Sequence, residues 1–237
     1  MENLQPLTVV LPSKNHEKSI SINLESLYSY LEKHFIDFQI LIISNGSTEK
    51  NKNILNSKIF EDNKIDIVTF ESKGKGYAVK HGLKNSKYDH VLLFDSDFSY
   101  DIELISKVYK NNIPIAPFVF ARRVLNKNLF STLSLIRYIA GVIFNFSVRK
   151  YLNINSKDTQ AGFKFINKLQ FKECIEFISN DYLYDVELFL LTNRYNIAIK
   201  EINVYSLNAP LGTNINIIKD SLIMLKNLYK IKKYHLG

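Results

Sequence analysis

The chain has 237 residues, 46% hydrophobic and 23% charged, a balance that suits one globular domain with a sizeable core and excludes an intrinsically disordered chain. Its single cysteine, Cys174, excludes an intramolecular disulfide framework and fits a reducing compartment. The formal charge of +8 calls for an anionic partner (nucleic acid, a lipid surface or phosphorylated ligands) unless the lysines simply form a solvated surface.

The N-terminus lacks a basic segment followed by an apolar one, so no signal peptide is expected. No apolar run approaches the ~20 residues needed to cross a bilayer. The best candidate, 138–148, is closed off by Arg137 and Arg149. A soluble or peripheral protein on the cytoplasmic side is therefore expected.

In chain order, residues 7–11 form a β-branched run read as a buried strand stopped by Pro12. Residues 19–33 carry Ile20, Leu24, Leu27, Tyr28 and Leu31 at helical spacing. A strand over 38–43 ends in the turn-forming Ser44-Asn45-Gly46-Ser47. A helix near 50–60 follows, then a strand over 65–70, a Gly-rich loop, a helix near 76–86 and a strand over 89–94. Strands and helices alternating with short connections specify an α/β fold with a mostly parallel sheet covered on both faces. Ligands then bind outside the carboxyl ends of the strands, where 13–15, 44–47, 73–76 and 95–97 should converge.

The second half is less regular. Helical character is read over 129–152, 171–177, 185–192 and 217–234, and strands over 163–166 and 198–205. Residues 208–216 read as a polar loop. Cys174 lies in an apolar-periodic stretch and reads as a small core residue rather than a nucleophile. No repeat or linker divides the chain, so a single domain is expected: a nucleotide-binding half over 1–98, an acceptor half over 99–210 and a basic C-terminal helix over 211–237.

The sharpest local signal is Val91-Leu-Leu-Phe-Asp95-Ser96-Asp97. Side chains two apart on an extended segment share a side. Asp95 and Asp97 can then hold one hard cation, Mg2+ or Mn2+, together with phosphate oxygens. The competing reading is a turn whose aspartates cap the next helix. A second signal is Lys73-Gly-Lys75-Gly76-Tyr-Ala-Val, where glycines permit close backbone approach while lysines and a helix start favour phosphate. Its glycine spacing excludes a dinucleotide fingerprint, and no Gly-Lys-Ser/Thr ends it. A plain flexible turn is the alternative.

Together these segments resemble the family 2 glycosyltransferases over almost the whole chain, most nearly the branch of dolichyl-phosphate and polyprenyl-phosphate sugar synthases and especially its dolichyl-phosphate glucosyltransferases. Val9-Val-Leu-Pro12-Ser13-Lys-Asn15 is similar to that family's opening strand and nucleotide-binding turn, Lys73–Val79 to its Gly-Lys-Gly loop, and Asp95-Ser96-Asp97 to its Asp-x-Asp. Asp158-Thr-Gln160-Ala-Gly162-Phe-Lys164 and Tyr184-Asp185-Val-Glu187-Leu are similar to two further motifs of the branch. The resemblance implies a GT-A fold and an inverting, metal-dependent transfer from a nucleotide sugar to a polyprenyl-phosphate lipid carrier. It places Pro12, Ser13, Asn15, Ser44, Asn45, Lys73, Lys75, Gly76, Asp95 and Ser96 at the donor. Asp97 and Asp185 become catalytic, Asp185 as base or acceptor-orienting acid, since a helix would turn Glu187 away. Arg122 or Arg123, Arg137 and Gln160 fall at the acceptor, where an arginine fork suits phosphate. Surface ion pairing is the bland reading of these arginines.

Three departures stand out. Ser44-Asn45 replaces a usual Asp-Asp, Asn15-His16-Glu17 replaces a usual Asn-Glu, and Phe98 replaces a frequent small residue. Asparagine donates as well as accepts, which opens the choice of donor base. Two other readings stay open: a soluble or glycan hydroxyl acceptor with Asp185 as true base, and a non-catalytic subunit. A membrane surface is a further expected partner through 129–152 and the lysine-rich tail. Nucleic acid is not expected, because the basic residues form no stripe with stacking aromatics.

Overall fold

The computed structural model describes residues 3–56, 61–124, 146–154, 156, 158–205 and 217–236, with side chains of 56, 205 and 217–226 left aside. Its elements are β1 (Leu7–Ser13), α1 (Glu17–His34), β2 (Phe38–Asn45), α2 (Glu49–Lys52), β3 (Ile65–Phe70), α3 (Lys75–Asn85) and β4 (His90–Phe94), then β5 (Tyr109–Lys110), β6 (Ile113–Pro114), β7 (Phe118–Val124), β8 (Phe163–Asn167), α4 (Tyr184–Arg194), β9 (Ile199–Tyr205) and α5 (Ile217–Leu236). Seven strands form one sheet in the order β3-β2-β1-β4-β8-β7-β9. The first four are parallel, β8 runs antiparallel to β4 and β7, and β9 is parallel to β7.

Alternation along β1 splits the core in two. Val9 and Leu11 face the layer of α1, packed with Leu24, Leu27 and Leu31. Val10 faces the other layer, with Ala78, Val79 and Leu83 of α3, Phe189 of α4 and Leu228 of α5. Successive strand residues point to opposite faces, so a fully buried strand reads as a continuous apolar run. Gly82 lets α3 lie against the sheet, because a Cβ there would overlap Val10.

The sequence expectations hold for β2, β3, α3, β4, α4, β9 and α5 within a few residues, and fail in four places. β1 continues through Pro12 to Ser13; β4 pairs only as far as Val10, so the missing Pro12 N–H interrupts no ladder on that side. The stretch 171–177 is not an α-helix. It holds a 3₁₀ turn at Lys172–Cys174, preceded by another at Lys168–Gln170, and its buried Phe171, Cys174 and Phe177 recur every three residues, the 3₁₀ period. The helix expected near 50–60 shrinks to α2 and a 3₁₀ turn at Asn53–Asn56, with 57–60 outside the described residues. β7 was not foreseen at all, although Phe118, Val119, Phe120 and Ala121 form a fully buried apolar run.

Of the segment read as helical over 129–152, residues 146–152 are helical and the rest lies outside the described residues, as does the loop 208–216. Cys174 is buried, and burial pushes its thiol up to about 12, which keeps it a protonated core residue. Among the described residues no helix is long and apolar enough to cross a membrane.

Candidate active site

The four strand ends on the β1–β4 side are tied to one another by side chains. Asn15 follows β1 in a left-handed conformation, φ 63°, which asparagine tolerates. Its N–H donates to Ser47 Oγ at 2.9 Å, and its Oδ1 accepts from Thr48 N–H at 2.9 Å. β2 then reaches the loop after β3: Asn45 Nδ2 donates to the Gly74 carbonyl at 2.6 Å and Asn45 Oδ1 accepts from Lys73 N–H at 3.1 Å. The turn after β4 is anchored to β1 by Ser96 Oγ, which donates to the Pro12 carbonyl at 2.8 Å. Finally Lys75 Nζ meets Asp95 Oδ1 at 2.6 Å. The segments, dispersed from Pro12 to Ser96 in sequence, thus meet at one rim, as strand-end loops of an α/β sheet should.

Two of the departures from the family pattern gain a physical meaning here. Asn45 spends both its donor and its acceptor on the Gly-rich loop, and an aspartate could not donate to the Gly74 carbonyl. Ser44 is fully buried and donates to Glu17 Oε1 at 2.9 Å; Ser47 also donates to that oxygen, while Glu17 Oε2 has no hydrogen-bond partner. The carboxylate absent from position 44 is therefore matched by a buried one at the start of α1. Ser13 is buried beside this rim with its hydroxyl unpaired.

Asp95 and Asp97 do not sit on an extended strand. β4 stops at Phe94, and Phe98 N–H donates to the Asp95 carbonyl at 3.1 Å, closing a turn. Phe98 holds φ 52°, unusual for a bulky residue, with its ring buried 5.3 Å from Phe94. The two-residue alternation is thus not what relates these carboxylates. Asp97 is exposed and accepts from Ser99 N–H at 3.0 Å; Asp95 is half-buried against Lys75. Among the described residues no group of three or more His, Cys, Asp or Glu could hold a metal. The donor set of the turn is two hard carboxylates, one of which already faces a cation, the Lys75 ammonium.

Gly162 is the reason Asp95 fits. Its carbonyl accepts from Asp95 N–H at 2.9 Å, and a Cβ at Gly162 would overlap the Asp95 carboxylate. Gly162→Ala is therefore expected to displace that carboxylate and to lower turnover about 10²-fold, since a 1 Å misplacement costs that order. Retention of full activity in steady-state assays of this variant would show that the Asp95 position does not matter.

Asp185 lies at the start of α4 and is buried. Its Oδ1 is 2.8 Å from Lys164 Nζ, a buried ion pair. Burial raises the Asp185 pKa, and the ammoniums of Lys164 and Lys75 oppose that rise without cancelling it. Burial alone would lower the Lys75 pKa, but the Asp95 and Asp185 carboxylates outweigh it and hold the ammonium charged. The result is an alternating row of charge, Asp95, Lys75, Asp185 and Lys164. Glu187 faces elsewhere, as the helical spacing implied: fully buried, it takes Ser179 N–H at 2.9 Å and Ile178 N–H at 2.6 Å.

The basic residues read as acceptor ligands divide. Arg123 is gripped by Asp158, with Nε and Nη2 each 2.9 Å from a carboxylate oxygen, which holds the Asp158 pKa down against its burial. Arg122 makes a looser 3.5 Å contact with Glu201. Gln160 follows in the same loop, its N–H donating to Asp158 Oδ1 at 3.3 Å. Arg137 lies outside the described residues. Lys73 lies over the Tyr77 ring at 4.8 Å, and Gly76 lets α3 start against the backbone of 179–181. Lys164 carried no expected role and Glu17 none beyond its motif; the signal in each case was a charged residue inside an apolar frame, Gly-Phe-Lys164-Phe and His-Glu17 ahead of a helical stripe.

Glycosyl transferase family 2 matches residues 8–175. Dolichyl-phosphate beta-glucosyltransferase of Saccharomyces cerevisiae is 27% identical over 256 residues, covering 97% of this chain and 75% of that protein. The human protein of the same name is 24% identical over 214 residues, covering 84% of this chain and 66% of the relative. Among solved structures, glucosyl-3-phosphoglycerate synthase from Mycobacterium tuberculosis, in complex with Mn2+, UDP and glucosyl-3-phosphoglycerate, superposes with a TM-score of 0.65 at 16% identity, covering 94% of this chain and 79% of that one. With its Asp-x-Asp turn, Gly-rich loop and mixed seven-stranded sheet, the chain belongs to glycosyl transferase family 2 and has the GT-A fold.

Proposed function

We propose that this glycosyltransferase moves a sugar from a nucleotide-sugar donor to a polyprenyl-phosphate-type lipid carrier, with inversion at the anomeric carbon. The observation that carries the reading is the meeting of the Gly-rich loop, the Asp95–Asp97 turn and Asp185 through Lys75. The nucleoside part of the donor lies at the rim of Pro12, Ser13, Asn15 and Asn45, with Ser44 buried beneath it, and its diphosphate along Lys73, Lys75, Gly76 and Ser96. Asp95 and Asp97 would hold Mg2+ or Mn2+, the donor phosphates supplying the remaining oxygens; such a cation neutralises the charge of a departing diphosphate. The two carboxylates fit this task because they are hard oxygen donors, one of them already facing a cation. The Mycobacterium structure with Mn2+ and UDP and the two dolichyl-phosphate relatives support the same assignment.

At the acceptor, Arg122, Gln160 and Arg137 are assigned to the carrier phosphate. Arg123 shapes that side through its bidentate pair with Asp158, and Asp185 orients the attacking oxygen. A phosphate acceptor is ionised at neutral pH and needs little help from a base. The raised pKa of Asp185 favours a second reading, attack by a soluble or glycan hydroxyl with Asp185 as general base. Exposed Phe146 and Tyr151, with the lysines of α5, offer the face for peripheral attachment to an anionic membrane on its cytoplasmic side.

The test is transfer from a panel of uridine, guanosine, cytidine and thymidine sugars to polyprenyl phosphate or to soluble glycans, with and without Mn2+. One donor base active only with metal and lipid phosphate is expected. Transfer only to hydroxyl acceptors, lost in Asp185→Asn, would favour the second reading. No binding and no turnover with any donor would indicate a non-catalytic subunit.

A further inference from the structure

We propose that the last turn of α5 positions the donor loop, with His235 and Glu187 as the positioning residues through which it acts. This rests on the reading of 73–76 as the donor loop. Gly74 holds φ 92°, and a Cβ at Gly74 or Gly76 would overlap the carbonyl oxygens of Asn180 and Ser179. The backbone of 179–181 therefore lies directly against the loop, and Tyr77 N–H donates to the Asn180 carbonyl at 3.3 Å. Lys75 stands between the two glycines and reaches Asp95 from there. Any shift of 179–181 is passed to the Lys75 backbone.

Residues 176–180 form neither helix nor strand, so their conformation depends on what binds their amides. Glu187 does this. Its Oε1 accepts from Ile178 N–H, and its Oε2 accepts from Ser179 N–H and, at 2.5 Å, from the Ser179 hydroxyl. The fourth partner comes from 48 residues further along: His235 Nε2 lies 2.5 Å from Glu187 Oε1, with the imidazole almost wholly buried. The end of α5 is held in turn by the Arg194 guanidinium, which donates to the His235 carbonyl. About two turns earlier on α5, Asn227 Nδ2 donates to Asp181 Oδ2 at 2.7 Å. A 320 Å³ cleft opens between the two elements, bordered by Lys73, Gly74, Asp181, Asn227 and Lys230.

A merely structural helix end would not need this arrangement. Leu228 and Ile231 already bury α5 in the core, and an apolar residue in place of a buried ionisable pair is often neutral or stabilising. What the pair adds is a fixed position for a segment that has no regular structure of its own. With His235 gone, Glu187 Oε1 keeps one donor beside an opened space. The carboxylate then shifts, and the 178–181 backbone and the Gly74–Gly76 loop relax with it.

The experiment compares the full chain with His235→Ala and His235→Gln, reading amide hydrogen exchange and the KM for each substrate. In His235→Ala, amides of 74–80 and 177–183 should exchange faster, and the donor KM should rise about 2- to 30-fold, the range of mutations along such contact networks. The acceptor KM should stay constant. His235→Gln, whose amide can still donate to Glu187, should restore most of both effects. Faster exchange confined to 228–236, or equal rises in both KM values, would overturn the proposal. Coupled exchange in a chain that binds no nucleotide would uphold the positioning contact and overturn the reading of the loop as a donor site.

Discussion

Asp97→Ala is expected to cut sugar transfer by about 10²–10³-fold while the protein stays folded. The size follows from removing one preorganised group that balances charge developing on the leaving diphosphate. The separation of activity from stability follows from where Asp97 sits. It is exposed and accepts a local turn bond from Ser99 N–H, so unfolding stability should move by no more than about 1 kcal/mol. Asp95→Ala differs, because it also strips the partner from Lys75 and leaves a gap against Gly162. If Asp97→Ala unfolded with the parent and transferred sugar at the parental rate, the Asp95–Asp97 turn would be a structural turn and the metal assignment would fail.

The Asp95–Asp97 turn was conspicuous in the sequence, although its geometry was not legible there. The Asp-x-Asp stood out because it followed an apolar run, yet the expected strand alternation gives way to a turn with a left-handed Phe98. Similarly, Phe171, Cys174 and Phe177 were seen as a helical stripe when their spacing of three fits 3₁₀ turns. Local periodicity in both cases reported burial correctly and conformation incorrectly. The parallel half of the sheet was legible because its strands are short runs rich in β-branched and large apolar residues, two of which, β1 and β3, lead into amphipathic helices. β7 was missed for the opposite reason: it is reached through the irregular segment 95–117, and its partners β8 and β9 lie over forty and eighty positions away. Buried charge was the least legible feature. A sequence shows that Glu17, Lys164 and Glu187 exist, but their partners Ser44, Asp185 and His235 are supplied only by the tertiary fold.

The Lys164–Asp185 pair gives the sharpest test of how that buried charge serves the reaction. Asp185 sits in a site whose burial raises its pKa, and Lys164 is the nearer of two ammoniums that pull it back. A general base works in its ionised form, so activity limited by Asp185 rises with pH through an acid limb above the ordinary carboxylate value of 3.8. Lys164→Met removes an ammonium of similar length, and the limb should move further up. Stability follows the same sign. A carboxylate with a raised folded pKa favours the fold most when protonated, and that contribution is lost as pH rises from the unfolded value through the folded one. Lys164→Met should therefore cost about 3–5 kcal/mol at neutral pH, where a charged Asp185 would have lost its nearer counter-charge, and less in acid. Adding Asp185→Asn should recover most of that loss, because a neutral amide needs no counter-charge. Recovery of activity is a separate question: with a phosphate acceptor the double variant keeps measurable transfer, whereas with a hydroxyl acceptor it has no base and stays inactive. An acid limb at the same pH in the parent and in Lys164→Met would mean that Asp185 is not the group that titrates, and its assignment as base would have to be given up.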